Sequence, residues 1–140
     1  MKVSEVMTAQ VASAQPGSTI KAVGKMMSDV DTGAIPVVED GRIVGLVTDR
    51  DIVLRAVAED ADLDAPVSTI MTPDVQTCSE EASVADAVGK MASQAIRRLV
   101  VVDDAGRMVG IVSLGDISKD YGAKQVGKTL EDISFAPPQQ

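Results

Sequence analysis

One motif occurs twice in this sequence, and its residue types could bind a ribose and a phosphate. The motif is Gly, two apolar residues, Ser or Thr, two variable residues and Asp, at positions 45–51 and 110–116. The hydroxyl of Thr48 or Ser113 could donate to a phosphate oxygen. The carboxylate of Asp51 or Asp116, one helical turn later, could accept from both hydroxyls of a ribose. We therefore consider both copies candidate parts of a ligand site.

The same spacing also has a purely structural interpretation. Ser or Thr at the start of a helix, followed three residues later by an acidic residue, resembles a capping box and needs no ligand. In the functional interpretation, the helix N-terminus presents N–H groups and a positive dipole end that attract phosphate. The motif glycine would let the backbone pass close to the ligand. The presence of two copies at matching places favours the functional interpretation.

The two copies belong to an internal repeat that covers most of the chain. Residues 3–8 (VSEVMT) recur as residues 67–72 (VSTIMT), and residues 41–48 (GRIVGLVT) recur as residues 106–113 (GRMVGIVS). We predict a first domain at 1–60, an acidic linker at 61–66 and a second domain at 67–122. A tail at 123–140 follows, and we expect its stretch 126–133 to dock on the body.

Each half is predicted to fold as β-α-β-β-α, which makes the fold class mixed α/β (α+β). Helical apolar spacing starts at Ile20 and at Val84, and Ser83 with Asp86 has the form of a helix start. Short apolar runs at 35–38 and 99–102 predict buried strands, and the returning strands fall at 43–47 and 108–112. Turns at 39–41 and 103–106, second helices at 48–58 and 113–121, and short strands near Val11 and Val75 complete the pattern. We expect the two repeats to pack sheet to sheet about a pseudo-twofold axis, with a cleft on each side.

The composition of the chain argues against several classes of function. The net charge of −8 and the pI of about 4.4 disfavour partners with phosphate backbones or anionic lipids. Histidine is absent and Cys78 is the single cysteine, so few nucleophile–base or metal constellations can be built. The N-terminus predicts no signal peptide, and no apolar run approaches a membrane span. We expect a cytoplasmic protein that is not an enzyme, with Met26, Met27 and Met91 in the core, Cys78 partly buried, and the acidic residues 59–64 solvated.

These motifs together resemble a tandem CBS domain pair, also called a Bateman module. The matching segments are 6–8 (VMT), 33–41 (GAIPVVEDG), 70–72 (IMT), 97–103 (RRLVVVD) and both copies of the motif. The resemblance implies two pseudo-symmetric domains whose clefts bind a regulatory ligand: AMP, ADP, ATP or S-adenosylmethionine. No other cofactor is implied. It also implies a homodimer and an output that passes through a separate protein partner.

The resemblance further implies which residues line each cleft. One cleft takes Ser113 to phosphate, Asp116 to ribose and Ile111 against the base, with Thr32, Gly33, Ala34, the segment from Thr8 to Ala12, and Arg97 or Arg98. The other takes Thr48, Asp51 and Leu46, with Ile96, Arg97, Arg98, the segment from Thr72 to Thr77, and Arg50 and Arg55 near phosphate. Because the second half carries two arginines where the first has Gly33 and Ala34, the clefts are expected to be unequal.

Two other functions stay open at this point. The repeat could be a constitutive dimerisation or protein-docking module with vestigial nucleotide clefts, in which case the motifs only cap helices. An enzyme is the least favoured alternative, because the sequence offers neither a catalytic base of the common kind nor a Gly-rich phosphate loop with Lys.

Overall fold

The computed structural model describes residues 1–119, so the predicted end of the last helix at Tyr121 and the tail lie outside the described residues. The described chain forms two compact units, and the boundaries of these units differ from the boundaries of the two sequence repeats. The first unit combines Met1–Gln10 with the chain from Gln76 onward, and the second unit comprises Val11–Val75. The first residues of each repeat, 3–8 and 67–72, thus belong to the unit that the other repeat mainly forms.

The first unit, which we call the Gln76 unit, contains a four-stranded sheet. The strands are β1 (Thr8–Ala9), β4 (Thr77–Ser79), β5 (Arg98–Val102) and β6 (Met108–Ser113), in the order β1-β6-β5-β4. The β5–β6 hairpin and the β1–β6 pair are antiparallel, and β4 runs parallel to β5. Helices α3 (Val84–Gln94) and α4 (Leu114–Ser118) complete the unit. Its core comprises Val3 and the apolar faces of α3, β5 and β6.

The Val11–Val75 unit repeats this arrangement with shorter outer strands. An antiparallel hairpin of β2 (Ala34–Glu39) and β3 (Arg42–Thr48) forms its sheet. Single bridges add Ala14 parallel to Val37 and Thr72 antiparallel to Leu46. Helix α1 (Ile20–Val30) precedes the hairpin, and α2 (Asp49–Ile52) follows it and continues as a π-helical turn at Val53–Val57. A separate core of buried residues fills this unit.

Most predicted elements are confirmed, with small changes at the sheet edges. The strand expected near Val75 occurs at Thr77–Ser79, and the one expected near Val11 is reduced to a single bridge between Ala14 and Val37. The second helix expected at 48–58 is confirmed, with α geometry at Asp49–Ile52 and π geometry at Val53–Val57. Ser83 does cap α3 by accepting from Asp86 N. The mixed α/β class and the two repeats are confirmed, and the sheet-to-sheet packing stays a prediction.

The predicted linker is built into the Val11–Val75 unit. The carbonyl oxygens of Leu63 and Ala65 accept from the backbone N–H groups of Lys21 and Ile20, at 2.9 and 3.0 Å. These bonds satisfy two of the N–H groups that the first turn of α1 leaves without helical partners. The acidic side chains of this segment are exposed, as expected for a solvated stretch.

The methionine and cysteine predictions are also confirmed. Met27 and Met91 lie in the two cores, and Met26 packs against the first of them. Cys78 is partly buried on β4, and burial raises the pKa of its thiol above the ordinary value, against the opposing effect of nearby Lys90. Within residues 1–119, no helix is long and apolar enough to cross a membrane.

Candidate ligand site

Both copies of the motif form the reciprocal capping box that their spacing predicts. In the Val11–Val75 unit, Asp51 N donates to Thr48 Oγ1 at 3.2 Å, and Thr48 N donates to Asp51 Oδ2 at 2.9 Å. In the Gln76 unit, the corresponding Ser113 and Asp116 distances are 3.1 and 3.0 Å. The structural interpretation is therefore correct for both copies. It does not exclude ligand binding, because each cap engages Oδ2 and leaves Oδ1 of the carboxylate outside the box.

The caps hold these carboxylates in a fixed orientation at partly buried positions. The Asp51 side chain retains 14% of its exposure, and its Oδ1 lies 3.8 Å from Arg55 Nη2. The Thr48 and Ser113 hydroxyls accept from the backbone, so their own protons can be donated elsewhere. Each motif thus presents a hydroxyl donor beside a carboxylate acceptor.

The motif glycines have a packing role that the sequence did not indicate. A Cβ on Gly110 would lie 2.6 Å from the Thr8 carbonyl oxygen and 2.9 Å from Met7 Sδ, while a Cβ on Gly45 would overlap the Met71 side chain. Both glycines therefore make room for the Met-Thr pair that packs across the motif strand. The expectation that they make room for a ligand is not needed to explain them.

In the Val11–Val75 unit, hydrogen bonds and strand pairing bring several predicted site residues together. Ala34 lies opposite Thr48 on the hairpin, and Gly33 O accepts from Asp49 N at 3.0 Å. Leu46 and Thr72 exchange two backbone hydrogen bonds of 3.0 and 2.8 Å. Thr32 is the neighbour of this group, because its Oγ1 lies 3.4 Å from Ala34 N. Ala12 instead packs against the core, and Arg50 is exposed.

The Gln76 unit gathers the corresponding residues of the second half. Arg98 lies opposite Ser113, Thr8 lies opposite Ile111, and Arg97 O accepts from Leu114 N at 3.0 Å. Thr77 pairs with Val100 on β4. Ile96 is fully buried in the core, so its side chain is a packing residue of this unit. The assignment of these segments to clefts shared by both halves stays a prediction.

The N-terminus of α2 does not offer the amides that phosphate binding would require. Asp49 N donates to Gly33 O, Arg50 N donates to Asp49 Oδ1 at 2.9 Å, and Asp51 N donates to Thr48 Oγ1. The first three N–H groups of this short helix are thus all accepted within the protein. Asp49, which the sequence reasoning did not single out, accounts for one of them. In this unit, phosphate contacts would therefore come from side chains, such as the Thr48 hydroxyl or a nearby cation.

Arg55 touches residues of the site in this unit. Its Nη1 donates to Ile70 O at 3.0 Å and to Thr72 Oγ1 at 3.3 Å, while Nη2 faces Asp51. The resemblance places Arg55 near a phosphate, and its spacing of four residues from Asp51 is a helical ion-pair spacing. The contact with Thr72 is tertiary and had no local signal.

Comparisons with known proteins identify the family of this chain. The CBS domain family matches residues 3–58 and 67–122. The chain belongs to the CBS domain family. A CBS domain-containing protein of Bacillus subtilis, YhcV, is 41% identical over 133 residues, which is 94% of each chain.

Two solved CBS structures are similar to this chain. The conserved CBS domain protein TA0289 of Thermoplasma acidophilum has a TM-score of 0.84 at 26% identity, covering 96% of this chain and 77% of that one. The CBS domain pair of protein MJ0100, in complex with 5′-methylthioadenosine and S-adenosylmethionine, has a TM-score of 0.78 at 30% identity. That match covers 87% of this chain and all of the MJ0100 chain.

Proposed function

We propose that this CBS domain pair is a regulatory module that binds an adenosine-containing ligand, of the adenine nucleotide class, through Asp51 and Asp116. The observation that carries the proposal is the duplicated capping box. It fixes a carboxylate beside a hydroxyl at the same place in each half and leaves one carboxylate oxygen for a ligand. A carboxylate held in this way can accept both hydroxyls of a ribose.

The adenosine part of the proposal is supported by the MJ0100 pair. Its two ligands, 5′-methylthioadenosine and S-adenosylmethionine, share an adenosine group, and that pair is 30% identical to this chain. Ile111, which is partly exposed, would contact the base, and Thr48 and Ser113 would donate to the ligand. Leu46, expected in the same role, is only 1% exposed, so we assign it no ligand contact. The ligand would act by favouring one arrangement of the module, which a separate partner protein would sense. We assign the module no catalytic role.

Thermal unfolding against a panel of AMP, ADP, ATP, S-adenosylmethionine and 5′-methylthioadenosine tests the proposal. A ligand at about 100 times its Kd should stabilise the wild type by roughly 2.7 kcal/mol, a shift of several degrees. The double variant Asp51→Asn/Asp116→Asn should lose the shift, because an amide oxygen can keep the cap bond while the second acceptor is lost.

Asp86→Asn is the matched control for this variant. Asp86 occupies the same third helical position after the Ser83 cap of α3, so it should keep the wild-type shift. A double variant that keeps the full ligand shift would refute the assignment of Asp51 and Asp116.

A docking or dimerisation role is the second candidate function, and one observation favours it. Val53, Leu54 and Val57 follow α2 on the π-helical turn and are 55%, 48% and 59% exposed. Apolar side chains clustered at a surface commonly mark a protein interface. Sedimentation velocity should show a wild-type dimer that Leu54→Asp converts to monomer. A dimer with no response to any adenosine compound would favour this candidate over ligand sensing.

A further inference from the structure

Methionine occurs at equivalent positions of the two repeats in two places. One pair, Met27 and Met91, lies in the two cores at 8% and 0% exposure. The other pair, Met7 and Met71, is partly exposed, although each side chain also packs against a core. Small reagents in solution can therefore reach the second pair, at the same place in each half of the chain.

The sulfur atoms of Met7 and Met71 lie against the motif glycines. A Cβ on Gly45 would overlap Sδ of Met71 and lie 2.9 Å from its Cγ, and a Cβ on Gly110 would lie 2.9 Å from Sδ of Met7. In both units the thioether thus occupies the space that the missing Cβ leaves. An atom added to either sulfur has the backbone of the motif strand on one side, already within contact distance.

The residue after each methionine pairs with the strand that carries the motif. Thr72 exchanges two backbone hydrogen bonds with Leu46, and Thr8 pairs with Ile111. Each pairing lies two residues before the hydroxyl of a capping box. Displacement of either methionine would therefore strain a strand pairing next to one of the two proposed carboxylate sites.

A thioether reacts with hydrogen peroxide to give a sulfoxide, which is polar and is reduced again by methionine sulfoxide reductases. The sulfur attacks one peroxide oxygen, so an S–O bond forms while the O–O bond breaks. A proton passes from the transferred hydroxyl to the departing hydroxide, and water leaves. The sulfur loses two electrons and the peroxide gains them, so the step requires no base or metal from the protein.

We propose that Met7 and Met71 are modification sites through which peroxide loosens the pairing of residues 3–8 and 67–72 with the motif strands. The sulfoxide oxygen enlarges a side chain that already touches backbone, and it replaces an apolar contact with a polar one. Burial protects Met27 and Met91 from the same reaction. The loss of pairing is independent of any ligand, whereas its effect on ligand affinity rests on the proposed function.

Peroxide treatment of the Cys78→Ser protein, which lacks the single thiol, tests the proposal. Mass spectrometry measures sulfoxide at each of the seven methionines, and urea unfolding measures stability. We expect Met7 and Met71 to be oxidised well before Met27 and Met91, and the urea midpoint to fall by about 0.5–1 M. Methionine sulfoxide reductases should restore the midpoint, and Met7→Leu/Met71→Leu should keep its midpoint under the same treatment.

Met26→Leu/Met108→Leu is the matched control. Both residues are partly exposed, but neither has a methionine at the equivalent position of the other repeat, so this variant should lose as much midpoint as the Cys78→Ser parent. Met1, at 64% exposure, is present in every variant, so its oxidation does not produce a difference between them. Equal losses in the two leucine double variants would overturn the proposal, and so would complete oxidation of Met7 and Met71 with an unchanged midpoint.

Graded oxidation of the parent decides the question if Met7→Leu/Met71→Leu does not fold. The midpoint should then fall with the sulfoxide fraction at Met7 and Met71, and a fall that follows Met26 or Met108 instead overturns the proposal. Titration with AMP should show weaker binding after oxidation, and unchanged affinity at a lowered midpoint would overturn the link to the ligand site. If the reduced parent binds no adenosine compound, the proposed function fails while the midpoint still decides the modification sites.

Discussion

Replacement of the two motif glycines by alanine should have unequal effects on stability. In Gly110→Ala, the new methyl group would lie 2.6 Å from the Thr8 carbonyl oxygen, which is backbone of a paired strand. In Gly45→Ala, the group would meet the Met71 side chain. A thioether can change rotamer, whereas a hydrogen-bonded strand must shift as a whole. The same substitution therefore meets the backbone of a paired strand in one copy of the motif and a movable side chain in the other.

The expected magnitudes follow from these neighbours. Overpacking that forces backbone movement costs about 1–3 kcal/mol, and we expect Gly110→Ala to lie in this range. Gly45→Ala should cost less than Gly110→Ala, because Met71 is partly buried and its side chain can move. Equilibrium urea unfolding, followed by far-UV circular dichroism, measures both values.

Double-mutant cycles separate the two causes. Met71→Ala should remove most of the cost of Gly45→Ala, which gives a strong coupling between these positions. Met7→Ala should relieve little of the cost of Gly110→Ala, because the Thr8 oxygen remains in place. Equal costs for the two glycine variants, or full rescue of Gly110→Ala by Met7→Ala, would refute this account of the motif glycine.

Three further predictions follow from the described contacts. Thr48→Ala and Ser113→Ala should each lower the free energy of unfolding by about 0.5–2 kcal/mol through loss of the cap, measured by urea unfolding, and an unchanged midpoint would contradict the hydrogen bonds. Deletion of residues 1–10 should destabilise the Gln76 unit, since these residues provide its edge strand β1 and the buried Val3, and peptide 1–10 added in trans should restore part of its hydrogen-exchange protection. Burial raises the pKa of Cys78, so the associated stabilisation is present below the unfolded-state pKa and is lost as pH rises through the folded-state pKa. At neutral pH, alkylation of Cys78 should be slower in the folded protein than in urea, and slower still in folded Lys90→Gln. Equal alkylation rates in the folded protein and in urea would contradict the burial of Cys78.

The repeat and its local signals predicted much of this fold. The capping boxes of Thr48 and Ser113, the hairpins and the helix start at Ser83 depend on residues close in sequence, so periodicity and spacing identify them. The pairing of Thr8 with Ile111 depends on contacts between distant segments, and no local pattern specifies it. For this reason the short strands were expected a few residues away from their positions.

The same distinction applies to the candidate site. The hydroxyl–carboxylate pairs were found because each lies within one helical turn. The packing role of the motif glycines has no local signal, because their neighbours, Met7 and Met71, come from distant segments. The contact of Arg55 with Thr72 is also tertiary, so neither the spacing of Arg55 from Asp51 nor the resemblance predicts it.

The most direct test of the central claim is the number of ligand sites measured by isothermal titration with the adenine compound that most stabilises the wild type. We expect Asp51→Asn to abolish ligand binding at the Asp51 site and Asp116→Asn to abolish ligand binding at the Asp116 site. The double variant should show no measurable binding. Asp86→Asn should match the wild type in affinity and stoichiometry. A folded double variant with wild-type affinity would contradict the claim that the two capped carboxylates bind the ligand.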